Sequence, residues 1–167
     1  KPLPARRPFR AAGASLAMHL QIDDFYQDAS RALLALYRAF PRKTTLYIDD
    51  LIGYHEPDEY GLPAVRHQSC LGTLLWLGEE GYLRHEGTIR HEALDQAVLS
   101  EKGFLRLSGR IADAALTDSH LPPSVLRVHA TLAWQLQESL ASGDSERLIR
   151  HARLLFAPSQ RGAGDTV

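Results

Sequence analysis

The sequence predicts a mostly helical α+β domain that carries one two-stranded hairpin and closes with a helical hairpin. Three observations lead there. Apolar residues recur at helical spacing in several segments, as in Leu33, Leu36, Tyr37 and Phe40. The stretch from Gly81 to Ser100 breaks that pattern with two short strand-like runs around a polar centre. The 167 residues are 44% hydrophobic and 23% charged, which is enough apolar material to bury the core of one ordinary domain.

The first element is a tail. Residues 1–20 carry Lys1, Arg6, Arg7 and Arg10, several prolines and no acid, so a flexible basic tail is expected over 1–20. Three readings fit it: a transit peptide, an arm that follows DNA phosphates, or sequence upstream of the domain, with Met18 as the natural start. Asp23 and Asp24 then stand where an N-cap and first-turn acids belong, and a long amphipathic helix follows until Pro41 stops it. Thr44 to Tyr47 is β-branched and short, a small strand, and Ile48 to Gly53 reads as a short helix ended by glycine.

An acidic, turn-rich segment comes next, His55 to Gly61. Pro63 suits the first turn of a helix running to about Glu80, with Cys70, Leu71, Leu74, Leu75 and Leu77 as its apolar stripe. Gly81 ends that helix, Tyr82 to His85 forms a strand, Glu86 to Asp95 an exposed tip, and Gln96 to Leu99 the returning strand. Ser100 caps a helix through Leu107. Beyond about residue 110, one helix capped by Ser124 shows the stripe Val125, Val128, Leu132, Leu136 and Leu140. A turn at Ser142-Gly143-Asp144 leads to a last helix with Leu148, Ile149, Ala152, Leu155 and Phe156. The expected divisions are therefore a tail over 1–20, a domain over 21–110, a helical hairpin over 111–157 and a frayed end over 158–167.

Two stretches together carry a family likeness: Leu74-Leu75-Trp76-Leu77-Gly78-Glu79-Glu80-Gly81-Tyr82-Leu83, and Ala97-Val98-Leu99-Ser100-Glu101-Lys102-Gly103-Phe104. They resemble the exit from the third helix and the end of the wing in MarR- and PadR-like regulators of the winged-helix superfamily. The likeness spans about residues 22–110; the acidic insertion between Gly53 and Pro63 and the long wing tip depart from it. It implies a winged helix with a two-stranded wing, and a transcription regulator binding double-stranded DNA. In that fold the third helix meets base edges and the wing meets backbone. By position, Arg66, His67, Gln68, Ser69 and Thr73 then lie on or beside the reading face, with Trp76 further along it. Arg84, Arg90 and Lys102 of the wing would meet phosphates, helped by His85 and His91 when protonated.

Charge distribution opposes part of this. Residues 1–45 hold eight basic side chains against three acids, whereas residues 46–80 hold one against seven. Asp49, Asp50, Glu56, Asp58 and Glu59 fall close to where a duplex would run, and phosphate neutralisation supplies most of the affinity for DNA. The alternative is a winged-helix protein-interaction or dimerisation module. Trp76 and Trp134 would then sit in interfaces, and Glu56–Glu59 would receive a basic protein partner. A homodimer is expected through the helices from Ser124 to Phe156, with Leu148, Ile149, Leu155 and Phe156 facing a symmetry mate.

Other classes are excluded by pattern. The chain has no HExxH, GxSxG or P-loop spacing, so an enzyme is not expected. Cys70 stands alone, which excludes a disulfide framework and any CxxC site. His67 and Cys70 are three apart but no second ligand pair accompanies them, so neither a metal nor a cofactor is expected. The longest apolar run, Leu71 to Gly78, is too short to span a membrane, which suits a bacterial-type cytoplasmic protein.

Overall fold

The computed structural model describes residues 11–112 and 120–158. Seven helices and four short strands are present among them, an α+β architecture dominated by helix. Helix α1 (Ala11–Ala39) is the axis of the domain, with Ala29, Ala32, Leu33 and Leu36 fully buried along one face. It packs against three later helices, Val65–Glu79, Leu132–Ser142 and Ser145–Leu155, and lies across the sheet.

Strand β1 (Thr44–Tyr47) leads directly into α2 (Ile48–Ile52), which ends at Gly53 with φ 79°, the left-handed conformation glycine adopts without strain. Helix α3 (Val65–Glu79) closes with a Schellman arrangement. Tyr82 N–H donates to the Leu77 carbonyl at 2.9 Å, and Gly81 N–H donates to the Gly78 carbonyl at 3.1 Å. Gly81, at φ 80°, turns the chain straight into a hairpin. One arm is β2 (Leu83–Arg84) continued by β3 (Gly87–Ile89); the other is β4 (Ala93–Leu99). Both segments of the first arm keep a single antiparallel register on β4, from Leu83 opposite Leu99 to Ile89 opposite Ala93. Strand β1 pairs with the other edge of β4, so β4 is central. Gln96 of β4 has φ 50°, and the β1 register slips by one residue beside it.

Helix α4 (Glu101–Ser108) starts at Ser100, whose Oγ accepts from Gly103 N–H and donates to the Gly81 carbonyl. Helices α5 (Pro123–His129), α6 (Leu132–Ser142) and α7 (Ser145–Leu155) follow.

Several expectations need correction. Residues 11–20, assigned to a flexible tail, are the first turns of α1, and Asp23 and Asp24 lie inside that helix rather than at its cap. Ala11 to Leu20 carries no Asp, Glu, Lys or Arg and is rich in Ala and Leu, which favour helix and give it no reason to stop. Residues 1–10 of the expected tail, and 159–167 of the expected frayed end, lie outside the described residues. Helix α3 begins after Pro63 rather than at it, with Ala64 as N-cap. The hairpin tip is only Arg90-His91-Glu92, because pairing continues to Ile89 and Ala93. The single helix expected from Ser124 to Leu140 is two. Thr131 Oγ1 accepts from Trp134 N–H and starts a new helix, while Pro122 rather than Ser124 caps the first. Val128 is consequently exposed, and α5 buries no residue.

The C-terminal stripe also turns inward. Leu148, Ala152 and Leu155 are buried in the chain's own core, against α1 and α6. Phe156 joins Phe25, Tyr26, Trp76 and Tyr82 in one aromatic cluster, with ring centroids 5.1–6.2 Å from Phe156. The face assigned to a symmetry mate is thus largely covered within one chain, with Ile149 and Phe156 half-buried.

Candidate functional site

Helix α3 is held against α1 by a buried ion pair. Asp28, 1% exposed, sits on the inner face of α1 among apolar neighbours. The Arg66 guanidinium reaches it with two parallel N–H bonds, of 2.7 and 2.5 Å, and lies 3.8 Å from Asp24. Such a two-pronged contact satisfies a carboxylate that would otherwise be costly to bury. Hydrogen bonding to Asp28 holds the guanidinium pKa above its already high value, opposed by burial. Beside the pair, Cys70 is fully buried, and loss of solvent, aided by the Asp28 charge, pushes its thiol up to about 12.

The residues assigned to a nucleic-acid face are therefore divided by the structure. Arg66 points inward to Asp28. His67 is buried, with Nε2 3.0 Å from the His91 carbonyl and Nδ1 3.9 Å from Asp49. Thr73 is buried and donates from Oγ1 to the Ser69 carbonyl at 3.1 Å. These three corrections share one cause: α1 and the hairpin tip cover more of α3 than a free-standing helical wheel allows. Gln68 is exposed, its amide donating to the Pro63 carbonyl at 2.7 Å, and Ser69 is half-buried. Among the wing residues, Lys102 lies 4.2 Å from the Tyr82 ring centroid and donates to the Glu80 carbonyl, so it braces the hairpin root. Arg84 and Arg90 are exposed and form no ion pair among the described residues.

The outward side of α3 instead carries no cation: Val65 is 75% exposed, Gly72 is open, Trp76 is 37% exposed, and Gln68 and Glu79 are exposed with them. Two grooves flank it. One, of about 450 Å³, lies towards α1 between Ile22, Phe25 and Trp76. The other, of about 470 Å³, lies towards the hairpin tip, with Leu62, Leu71 and Leu75 along it and His67 and His91 at its end. Acids border the second groove. Asp58 accepts from the Leu62 N–H at 2.8 Å, and Asp49 neighbours His67. Sequence reading missed Asp28 as the partner of Arg66. The available signal was an acid on the apolar face of a long helix, a position that demands a cation.

Comparison with family models, with curated proteins and with solved structures gives no match. Among the described residues, no group of three His, Cys, Asp or Glu side chains is placed to hold a metal ion, and no helix is long and apolar enough to cross a membrane.

Proposed function

We propose that this chain is a winged-helix module that works by binding another protein, a basic amphipathic segment laid along the groove between α3 and the hairpin tip. The order of helix, strand, two helices, hairpin and helix supports the winged-helix reading. One observation carries the functional choice: the only Lys or Arg of α3, Arg66, is held by Asp28 and Asp24. The outward face of α3 then offers no free cation to a phosphate backbone, and neutralising phosphates is the main source of DNA affinity. What it offers is an apolar floor with acids at its edge, the complement of a segment with one apolar ridge and lysine or arginine beside it.

A photo-crosslinking residue at Gln68, in the full chain expressed in its native cell, tests this. Adducts to a basic protein that vanish when Leu62 is changed to Glu are the expected result. Adducts to nucleic acid, with a salt-sensitive mobility shift on random-sequence duplex below ~100 µM protein, would overturn it. That second outcome belongs to the DNA-binding regulator, which the unpaired Arg84 and Arg90 favour. Under it, Arg84→Glu with Arg90→Glu abolishes the shift.

A further inference from the structure

Among the described residues nothing covers the N-terminal part of α1. Every residue from Gly13 to Asp23 is exposed, and Leu16, Met18, Leu20 and Ile22 are each 51–62% exposed. A helical segment of this length has little stability of its own in water and normally relies on tertiary packing. This one is apolar on more than one side, the pattern of a helix enclosed by neighbours. It also lacks any Asp, Glu, Lys or Arg between Ala11 and Ile22. Met18, Ile22 and Phe25 follow one another at helical spacing and lead into the 450 Å³ groove beside Trp76. The groove is apolar where Ile22, Phe25 and Trp76 line it, and it is open.

We infer that a second copy of this chain fills that groove, the exposed segments of two α1 helices pairing antiparallel about a two-fold axis near Met18. The segment cannot fold back into its own groove, because it continues α1 without a break. The same chain therefore supplies both an uncharged apolar helix and a mainly apolar groove, edged by Asp24 and open among the described residues, that can meet only between two molecules, the condition for a closed two-fold interface. An uncharged surface brings no like-charge repulsion against its own copy. Antiparallel pairing also sets the positive N-terminal end of one helix opposite Asp23 and Asp24 of the other. This places dimerisation on α1, not on the C-terminal helices whose apolar faces are already covered.

Sedimentation equilibrium of the full chain decides it, between about 1 and about 100 µM, the range suited to an interface at the small end of the specific class. A dimer near twice 18.6 kDa is expected. Met18→Glu with Ile22→Glu should give a monomer, weakening association at least about tenfold. Its helix content per chain and its fold, judged by near-UV circular dichroism, should be retained, since neither side chain is in the core. Leu105→Glu, an equally exposed apolar site on α4, should leave the dimer intact. A wild-type monomer throughout the range overturns the inference. So does a dimer that survives the double substitution or that is lost with Leu105→Glu.

Discussion

Arg66→Ala separates a structural arginine from one that reads DNA. The guanidinium makes two parallel bonds to a carboxylate that is 1% exposed, so its removal leaves Asp28 charged in the core or forces it to take up a proton. Breaking a buried pair in this way costs about 3–5 kcal/mol. The Arg66 side chain retains 23% exposure, which admits some water and argues for the lower end, about 3 kcal/mol. At about 2–4 °C per kcal/mol for a chain of this size, the thermal midpoint falls by about 6–12 °C. Urea unfolding followed by circular dichroism measures the loss directly. In an Asp28→Asn background the same arginine substitution should cost about 1 kcal/mol, because no buried charge is left unpaired. Arg66→Lys should recover only part of the loss, since an ammonium cannot make the two-pronged contact. A fall of less than about 1 kcal/mol for Arg66→Ala in the wild-type background would refute the assignment of Arg66 to the core.

Three further outcomes follow from the packing. Gly103→Ala places a Cβ 2.1 Å from the Tyr82 carbonyl oxygen, a backbone atom, so α4 must move off the hairpin; a loss of about 2–3 kcal/mol in urea unfolding is expected, at the upper end for overpacking. Ser100→Ala removes both the α4 cap and the bond to the Gly81 carbonyl, and should cost about 1–2 kcal/mol by the same measurement. The Cys70 thiol should resist thiol reagents in the native chain and react on unfolding, as its raised pKa leaves little thiolate. Because that pKa is raised from 9.0 to about 12 by burial, the unfolded chain loses this proton first. Its contribution to stability is present below about pH 9 and declines as pH rises towards 12, and Cys70→Ala should flatten the profile in that window.

Several local signals were legible because they act within a few residues. Pro41 stops α1, Gly53 and Gly81 end α2 and α3, Ser100 caps α4 and the Ser142-Gly143-Asp144 turn leads into α7, each through hydrogen bonds or conformations that need no distant partner. The hairpin following α3 was legible for the same reason: a glycine stop followed by aromatic and aliphatic residues leaves the chain no better local choice. The break at Thr131 was hidden, because the apolar spacing from Val125 to Leu140 continues across it. Backbone bonds from Leu132 to the Gly109 carbonyl and from Ile111 to the Ala130 carbonyl hold the junction, and both depend on a segment some twenty residues earlier in sequence.

The sequence by itself determined the helix-rich class, the hairpin, the glycine stops and the Ser100 cap, since periodicity and chain-terminating residues are properties of neighbouring positions. Only the tertiary structure decided which faces are open. Arg66 and Thr73 look outward on an isolated wheel, yet α1 closes over that side of α3, drawing Arg66 to an acid thirty-eight residues away. The apolar C-terminal stripe looked free for a partner, yet it faces α1 and α6 of its own chain. The first turns of α1 looked like a loose tail, yet they extend as an exposed helix. In each case a residue's surroundings come from elements distant in sequence, and pairing across such separations leaves no imprint on local spacing.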